Sequence, residues 1–399
     1  MNKKNKKKTG VNTNLIRGGL NRTLFNETSE ALFLTSGFVY ESAEEAEACF
    51  KEKQKKYMYS RFGNPTIEAF QRKLALLEGA ENCWATATGM SAVFTIFMSQ
   101  LNAGDRVISS RALFGSCHYI ITKLLPNYGI KVDLIDGTDL NQWEDALKKK
   151  AKLVFFETPS NPCLEIINIK YVSKLAHKIG AKVIVDNVFA SPILQKPIEH
   201  GADIVMYSAT KHIDGQGRVL GGAILGTNKF CNEIIKPFIR NTGPSISPFN
   251  AWILLKSLDT LELRIKKQVS NTEKIVKFLE KNKNICNIYY PWSKKFSQYK
   301  LAKKQMKGGG TIVSFEIKKK NKETLKQAAF RFINNLKVID ISNNLGDTKS
   351  LITHPYTTTH HRLDKSEKKS LRITENLIRL SVGLENDEDL IEDINTSFT

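Results

Sequence analysis

The stretch Met206-Tyr-Ser-Ala-Thr-Lys-His-Ile-Asp214 decides the fold of this chain. Lys211 comes directly after an apolar strand pattern, and the hydroxyl residues Ser208 and Thr210 stand just before it. A strand can hold a lysine rigidly for covalent chemistry, and neighbouring hydroxyls can bind a phosphate group. Taken alone, however, a lysine after a strand is most often a solvated surface residue. The interpretation therefore depends on the rest of the chain.

Two segments upstream of Lys211 also have the residues expected of a site that binds a pyridine ring with a phosphate group. Lys182-Val-Ile-Val-Asp186 is typical of a buried strand that ends in a carboxylate, and open α/β sheets bind ligands at the carboxyl ends of their strands. An acid there can hold a pyridine nitrogen protonated, as pyridoxal 5'-phosphate requires. Trp84 to Ser91 runs from a short strand into the predicted helix Ala92 to Leu101, so that the N–H groups of Gly89 and Met90 would point at an anion.

With these segments the chain resembles the pyridoxal-phosphate enzymes of cysteine and methionine metabolism. That family includes cystathionine synthases and lyases, methionine γ-lyase and the homoserine-ester sulfhydrylases. The resemblance runs from about Thr13 to Leu384. Its further marks are Tyr57-Met-Tyr-Ser-Arg-Phe-Gly-Asn-Pro-Thr66, Glu157-Thr-Pro-Ser-Asn-Pro162, Asp186-Asn187 and Arg379-Leu-Ser-Val-Gly-Leu-Glu385.

The resemblance implies roles for individual residues. Lys211 would bind the cofactor covalently and then move protons on the substrate, since burial beside a cation lowers a lysine pKa. Residues of the same chain would hold the phosphate together with two residues of a neighbouring subunit: Gly89, Met90, Ser208 and Thr210, with Tyr59 and Arg61 from the neighbour.

The remaining expected contacts concern the ring and the substrate. Asp186 would bind the pyridine nitrogen, Phe114 would stack on the ring, and Asn161 would lie near its phenolic oxygen. Arg379 would hold both oxygens of the substrate α-carboxylate with its guanidinium. The alternative for Arg379 is a surface arginine on a strand, and the alternative for Asn161 is an Asn-Pro turn. Further substrate contacts are expected from Tyr57, Asn344 and Lys349.

At two positions the chain departs from the pattern of many family members, and these differences indicate which branch of the family it resembles. Many members have a tyrosine where this chain has Phe114, so more of the acid-base work falls on Lys211. Cystathionine-handling members carry a glutamate at the position of Lys349, where a cation suits an inorganic anion or a succinyl carboxylate instead. We therefore expect a γ-replacement that makes homocysteine from O-succinylhomoserine, or another O-acylhomoserine, and sulfide. The alternatives are a cystathionine γ-synthase and a γ-lyase.

Composition sets wider bounds. A chain of 399 residues exceeds the usual size of one core. No apolar run is long enough for a membrane span, and Met1 to Lys8 is not followed by a signal-peptide core, so we expect a cytoplasmic protein. The six cysteines are scattered, which predicts reduced thiols without a disulfide or metal framework. His354, His360 and His361 lack acidic or thiol partners at ligand spacing, and we expect loop hydrogen bonds rather than a metal site.

The net charge of +20 raises the alternative of a nucleic-acid-binding protein. Lysines outnumber arginines 47 to 13, and the stretch from Lys281 to Lys326 carries a local net charge of +11. Base recognition favours arginine, and this stretch has no helix-turn-helix pattern or interleaved aromatic residues. We interpret it as a solvated face. Met1 to Lys8 is predicted to be a disordered tail.

The order of elements predicts an α/β protein of the fold-type-I pyridoxal-phosphate-dependent transferase class. It would have a large domain with a mostly parallel sheet and a smaller α+β C-terminal domain. We divide it into an arm over residues 1–60 that contacts a neighbouring subunit, a cofactor-binding domain over 61–255 and a small domain over 256–399. A homo-oligomer, and more specifically a dimer of active dimers, follows from the shared site. The predicted strands of the large domain are Val107 to Ser110, Lys131 to Ile135, Leu153 to Glu157, Lys182 to Asp186, Asp203 to Ser208 and Gly222 to Leu225.

Overall fold

A computed structural model describes residues 9–398 of the chain. The predicted disordered tail, Met1 to Lys8, lies outside the described residues. Within the described part, no helix is both long enough and apolar enough to cross a membrane.

Seven strands of the described chain form the larger sheet, in the order β1-β7-β6-β5-β4-β2-β3. All neighbours are parallel except that β7 runs antiparallel to both β1 and β6. The expectation of a mostly parallel sheet is therefore confirmed. The strands are β1 (Asn82–Thr86), β2 (Arg106–Ser110), β3 (Lys131–Ile135), β4 (Leu153–Glu157), β5 (Lys182–Asp186), β6 (Ile204–Ser208) and β7 (Gly222–Gly226).

The smaller sheet has the order β10-β11-β12-β9-β8 and comes from the C-terminal part of the described chain. Its strand pairs are antiparallel apart from β10 and β11. Its members are β8 (Ile285–Tyr289), β9 (Ile312–Ile317), β10 (Asp340–Ile341), β11 (Leu351–Thr353) and β12 (Leu377–Ser381).

Helices separate most of the strands and cover both faces of the larger sheet. Short π-helical segments extend the chain at Ile120–Leu124 and Cys231–Ile235, and a 3₁₀ turn covers Pro197–His200. The α-helices are α1 (Val11–Arg17), α2 (Ala43–Phe50), α3 (Pro65–Glu78), α4 (Gly89–Met98), α5 (Gly115–Tyr119), α6 (Leu125–Asn127), α7 (Leu140–Ala146), α8 (Ile169–Lys178), α9 (Ser191–Leu194), α10 (Asn228–Phe230), α11 (Lys236–Thr242), α12 (Pro248–Leu258), α13 (Leu261–Leu279), α14 (Tyr299–Gln305), α15 (Leu325–Asn335), α16 (Lys365–Ser370) and α17 (Asp387–Thr396).

Alternation along the central strands builds two cores, one on each face of the larger sheet. Val154 and Phe156 of β4 belong to one apolar cluster, while Phe155 between them belongs to the other. Val183 and Ile184 of β5 divide in the same way. Because successive side chains of a strand point to opposite faces, an unbroken apolar run is what a strand covered on both faces requires.

Most predicted elements are found, with small shifts at their ends. The predicted bounds of β3, β4 and β5 agree with the structure. The sequence after Ser247-Pro248 predicts one long helical stretch to Lys281, whereas the structure has two helices there, with α12 ending at Leu258 and α13 beginning at Leu261. Between them, the carboxylate of Asp259 pairs with Lys73 and Lys256. The short strands β10 and β11 were not predicted.

Candidate active site

Polar side chains end three neighbouring strands at one edge of the larger sheet. Glu157 ends β4, Asp186 ends β5 and Ser208 ends β6. Glu157 lies opposite Asp186 in the register, and Asp186 lies opposite Met206. Because these strands are parallel neighbours, the three side chains lie together at the carboxyl edge of the sheet, where such sheets bind ligands.

Lys211 lies in the turn that follows β6. Its Nζ donates a hydrogen bond of 2.6 Å to Oδ1 of Asn344, which comes from the C-terminal part of the chain. Burial, together with a smaller contribution from the positive charge of Arg379, lowers the pKa of Lys211 to about 8. The expected lowering by burial and a neighbouring cation is found. A fraction of the side chain is therefore neutral and can act as a base near neutral pH.

Asp186 is buried, and its Oδ1 accepts a hydrogen bond of 3.0 Å from the N–H of Val188. Burial raises the pKa of this carboxyl to about 7. Burial also raises the pKa of Glu157 well above its ordinary value, and the negative charge of Asp186 adds to that rise. Glu157 is thus the carboxyl that stays protonated, and Asp186 is the one that ionises when a cationic partner is present.

Glu157 also fixes the segment that carries Phe114. Its Oε1 accepts a hydrogen bond of 2.5 Å from the backbone N–H of Phe114, whose side chain is 37% exposed. Cys117, one turn further along α5, contributes a sulfur within 4.8 Å of the carboxylate oxygens of Glu157 and Asp186. The backbone that carries the exposed Phe114 side chain is therefore anchored on Glu157, the neighbour of Asp186 in the sheet.

The start of α4 packs directly on the end of β6. Thr88 caps the helix by accepting a 3.0 Å hydrogen bond from the N–H of Ser91. A Cβ atom at Gly89 would lie 2.6 Å from Cβ of Ser208, so only glycine permits this approach. The Ser208 hydroxyl has no hydrogen-bond partner among residues 9–398, whereas Thr210 bonds both backbone groups of Gly221. A helix N-terminus and a free hydroxyl thus face each other, as an anion site requires.

Arg379 of β12 is buried and reaches three groups around Lys211. It donates to Oδ1 of Asn161 at 3.1 Å and to the carbonyl oxygens of Asn343 and Asn344 at 2.9 and 3.3 Å. Its Nε lacks a hydrogen-bond partner in the described chain. Burial lowers the pKa of Arg379 to about 10, so it remains a cation at neutral pH. A surface position on a strand, the alternative for Arg379, is excluded.

Tyr57 and Arg61 lie elsewhere in the single chain. Arg61 donates to the carbonyl oxygen of Arg240 in α11, and Tyr57 donates to the carboxylate of Glu68. Both line a cavity of about 770 Å³ whose lining residues do not include Lys211.

Two further predicted residues are exposed. Tyr59 is 42% exposed, and the centroid of its ring lies 5.4 Å from the guanidinium carbon of Arg61. Lys349 is exposed in the loop between β10 and β11, and its backbone N–H donates to Asp347 at 3.1 Å.

The three histidines make loop hydrogen bonds. His354 bonds Thr357 and the carbonyl oxygen of Glu375, both at 2.8 Å. His360 bonds Thr359 at 2.8 Å, and His361 bonds the carbonyl oxygen of Thr358 at 2.7 Å.

Sequence reasoning overlooked Glu157 as a participant, although it begins the quoted motif Glu157 to Pro162. A signal was present, because Glu157 ends a predicted strand with a carboxylate just as Asp186 does. Without the strand order, nothing indicated that the two strands are neighbours.

These groups fit pyridoxal 5'-phosphate. A buried lysine with a lowered pKa suits an aldehyde, a buried carboxyl at a strand end suits a pyridine nitrogen, and the Gly89–Ser208 approach leaves an anion cradle that a Cβ would fill. Fold and site together define a pyridoxal-phosphate-dependent enzyme of fold type I.

Comparisons with known proteins identify the family. The profile described as Cys/Met metabolism PLP-dependent enzyme matches residues 12–399. The chain belongs to this family, and its cofactor is pyridoxal 5'-phosphate.

Named relatives lie within the same family. The chain is 47% identical to an O-succinylhomoserine sulfhydrylase of Mycobacterium tuberculosis, over 96% of this chain and 94% of that protein. It is 42% identical to one from Pseudomonas aeruginosa, over 95% and 93% of the two chains. A solved structure of a putative O-acetylhomoserine (thiol)-lyase from Campylobacter jejuni, which carries a pyridoxyl-lysine monophosphate, is similar with a TM-score of 0.91, 30% identity and coverage of 98% and 100%.

Proposed function

We propose that this enzyme forms L-homocysteine and succinate from O-succinyl-L-homoserine and hydrosulfide. The C–O bond at the γ carbon breaks and a C–S bond forms there. The observation that carries the proposal is the 47% identity, over nearly the whole chain, to a relative named O-succinylhomoserine sulfhydrylase. The site is compatible with this reaction because it offers a base, a cation for a carboxylate and an acid for the cofactor ring.

In the proposal, the residues at the strand ends hold the cofactor. Gly89, Met90, Ser208 and Thr210 would bind its phosphate, and Asp186 would bind its ring nitrogen. Phe114 would stack on the ring and Asn161 would lie near its phenolic oxygen. When bound, pyridoxal phosphate draws electrons from the substrate α carbon and so makes the protons of Cα and Cβ acidic.

Lys211 moves the protons in this scheme. Its neutral Nζ accepts the proton from Cα and returns protons to the carbon chain after sulfur has added. Asn344 holds that Nζ in place through the 2.6 Å hydrogen bond. Arg379 would bind both oxygens of the α-carboxylate with its guanidinium, which orients the Cα–H bond towards Lys211.

Lys349 would favour sulfide over cysteine as the incoming thiol. An ammonium group near the site mouth attracts hydrosulfide or a succinyl carboxylate and repels the ammonium group of cysteine. Because Lys349 is exposed, solvent screens this effect to at most about 1 kcal/mol, or about fivefold in product ratio.

The same proposal makes the enzyme a homo-oligomer with sites shared between subunits. Residues 1–60 would form the arm, 61–255 the cofactor-binding domain and 256–399 the small domain. Large apolar side chains on the arm support a covered surface there: Leu24, Phe25 and Val39 are each more than 80% exposed in the single chain. Tyr59 and Arg61 would then reach the phosphate of the neighbouring subunit, with Tyr57 near its substrate. We place the reaction in the cytoplasm, in keeping with the free cysteines of the described chain.

Steady-state kinetics with purified holoenzyme test the proposal. O-succinyl- and O-acetylhomoserine are each paired with sulfide and with cysteine, and homocysteine, cystathionine and 2-oxo acid are measured. The highest kcat/KM is expected for the succinyl ester with sulfide. Mainly cystathionine at equal thiol concentrations would assign a cystathionine γ-synthase instead. Release of ammonia and 2-oxo acid as the main products would assign a γ-lyase.

Lys349→Glu tests the choice of thiol. We expect the ratio of cystathionine to homocysteine under competition to rise by about fivefold. Lys319→Glu, an exposed residue in the loop after β9, makes the same change in net charge and is the matched control. An equal change in both variants would remove Lys349 from this role.

A further inference from the structure

Helix α13 carries a stripe of buried polar residues on one face. Arg264, Gln268 and Asn271 recur at the spacing that places side chains above one another on a helix, and they are 6%, 1% and 0% exposed. Polar groups at such core positions cost free energy unless they are hydrogen-bonded. We call these residues the donor stripe.

Arg264 contacts the turn that carries Lys211. Its guanidinium donates to the carbonyl oxygens of His212 at 2.8 Å and Ile213 at 3.2 Å, the two residues that follow the lysine. A Cβ atom at Gly215 would lie 1.8 Å from a terminal nitrogen of Arg264. The guanidinium therefore packs flush against the turn and fixes its backbone.

Gln268 and Asn271 contact the two segments on the substrate side. Nε2 of Gln268 donates to the carbonyl oxygens of Asp347 at 2.7 Å and Val382 at 3.0 Å. Asp347 follows Asn344 by three residues, and Val382 follows Arg379 by three. Nδ2 of Asn271 donates to the carbonyl oxygens of Gly383 at 3.2 Å and Glu385 at 2.8 Å.

The donor stripe thus bonds three chain segments that meet at the site. Two of them also touch each other, because the N–H of Thr348 donates to the carbonyl oxygen of Gly215 at 2.8 Å. The side-chain oxygens of Gln268 and Asn271 are buried without a hydrogen-bond partner in the described chain. An unsatisfied buried acceptor costs about 1–3 kcal/mol, which is a poor arrangement for stability alone.

We infer that the donor stripe of α13 is a positioning device that sets Lys211, Asn344 and Arg379 relative to one another. The inference rests on the site residues of the proposed function. The three segments come from distant parts of the chain, and α13 is the rigid element that bonds all of them. A displacement of about 1 Å in such a constellation can cost about a hundredfold in rate.

The two ends of the stripe are expected to have different effects. Arg264→Met should change the pH at which the cofactor absorbance of the holoenzyme titrates, because it loosens the Lys211 turn. Gln268→Met, which keeps the length but removes the donor, should raise KM for the amino-acid substrate by roughly tenfold or more. It should shift the absorbance titration less than Arg264→Met does, because the Lys211 turn keeps its contacts with Arg264.

The experiment uses holoenzyme, two milder variants and one control. Arg264→Lys retains a cationic donor and should recover part of the wild-type titration, and Gln268→Asn keeps an amide and should recover part of the KM. Thr272→Val is the matched control, since this buried hydroxyl of α13 donates only to the helix carbonyl of Gln268 at 2.7 Å. Thermal unfolding is measured for all variants.

The inference is overturned if the Arg264 and Gln268 variants shift the titration and KM by the same factors as Thr272→Val. It is also overturned if only the unfolding temperature changes. Failure of the proposed function is seen separately, in a wild-type enzyme that does not turn over the succinyl ester with sulfide although its absorbance still titrates. In that case the titration arm still tests the link between Arg264 and Lys211.

Discussion

At the scale of single residues, burial decides which groups can do chemistry. The chain has many lysines, and most of those among residues 9–398 are exposed at the surface. Lys211 differs because burial and the charge of Arg379 bring its pKa to about 8. Its neutral form is then available within the range where enzymes work.

Replacement of Lys211 with alanine should abolish turnover and leave the fold intact. The change removes both the covalent partner of the cofactor and the proton carrier. Borohydride fixes the cofactor to the lysine that carries it, and mass spectrometry then identifies the peptide. Cofactor fixed at another lysine of the wild type, or near wild-type turnover in the variant, would refute the role of Lys211.

The pH dependence of activity should reflect the same group. A base acts in its deprotonated form, and Lys211 is free of the cofactor only in the substrate complex, so a lowered pKa moves the rise of kcat from above pH 10 to about pH 8. Initial rates across this range with a saturating concentration of the acylhomoserine measure the rising limb. A limb that remains near the ordinary lysine value would contradict the assignment.

Substitution by the amide should weaken cofactor binding at Asp186 but not at the neighbouring Glu157. Asp186→Asn is expected to lose roughly one to two decades of cofactor affinity, because a charge-assisted hydrogen bond contributes about 1.5–3 kcal/mol. Glu157→Gln should stay close to wild type, since burial and Asp186 already keep Glu157 neutral and the amide oxygen can still accept from Phe114. Equilibrium binding of the cofactor measures both. Equal losses in the two variants would show that the roles are wrong.

At the scale of elements, the site depends on how closely α4 approaches β6. The helix N-terminus can serve an anion only if the preceding turn fits against Ser208, and Gly89 permits that fit. The cradle is therefore a property of the packing of two elements and not of either alone.

Gly89→Ala should weaken cofactor binding and destabilise the protein by roughly 1–3 kcal/mol, the usual cost of overpacking a filled space. The added methyl group would lie 2.6 Å from Cβ of Ser208, so the helix start must shift. Gly10→Ala is the control, because an added Cβ there would have no atom within 4 Å. Cofactor dissociation and thermal unfolding measure the effect. Unchanged binding in Gly89→Ala would remove the α4 N-terminus from the phosphate site.

At the scale of the whole molecule, the site is proposed to be complete only between subunits. Arg61 contacts Arg240 of its own chain, and the arm exposes large apolar side chains. The exposed apolar side chains agree with an arm that packs on a second copy, and in that arrangement Arg61 would exchange its contact with Arg240 for one with the neighbouring subunit.

Mixing inactive Arg61→Ala and Lys211→Ala proteins should restore part of the activity. A mixed dimer contains one site in which both native residues are present, so about a quarter of wild-type activity is expected from random exchange of equal amounts. Each variant mixed with itself is the control. The shared site would be refuted by an absence of recovery after subunit exchange has been demonstrated with labelled chains.

The sequence by itself determined the features that depend on neighbouring residues. The bounds of the strands β3, β4 and β5 follow from local patterns of apolar and polar residues. The placement of Asp186 at the end of one strand and of Lys211 just after another follows from the same patterns. The prediction that Lys211 binds the cofactor also came from the sequence, because a strand, two hydroxyl residues and a lysine occur within a few positions of one another. Local structure of this kind depends on residues that are close in the sequence, so it can be predicted without knowing how the elements pack.

Only the tertiary structure decided which distant residues meet. Lys211 and Asn344 are 133 positions apart, and Arg379 reaches Asn161 across 218. The pairing of Glu157 with Asp186 depends on strand order, and the donor stripe of α13 depends on the folding of three segments around one helix. Such contacts arise from the packing of whole elements, where many chain paths share the same local pattern and the burial of both cores selects one of them.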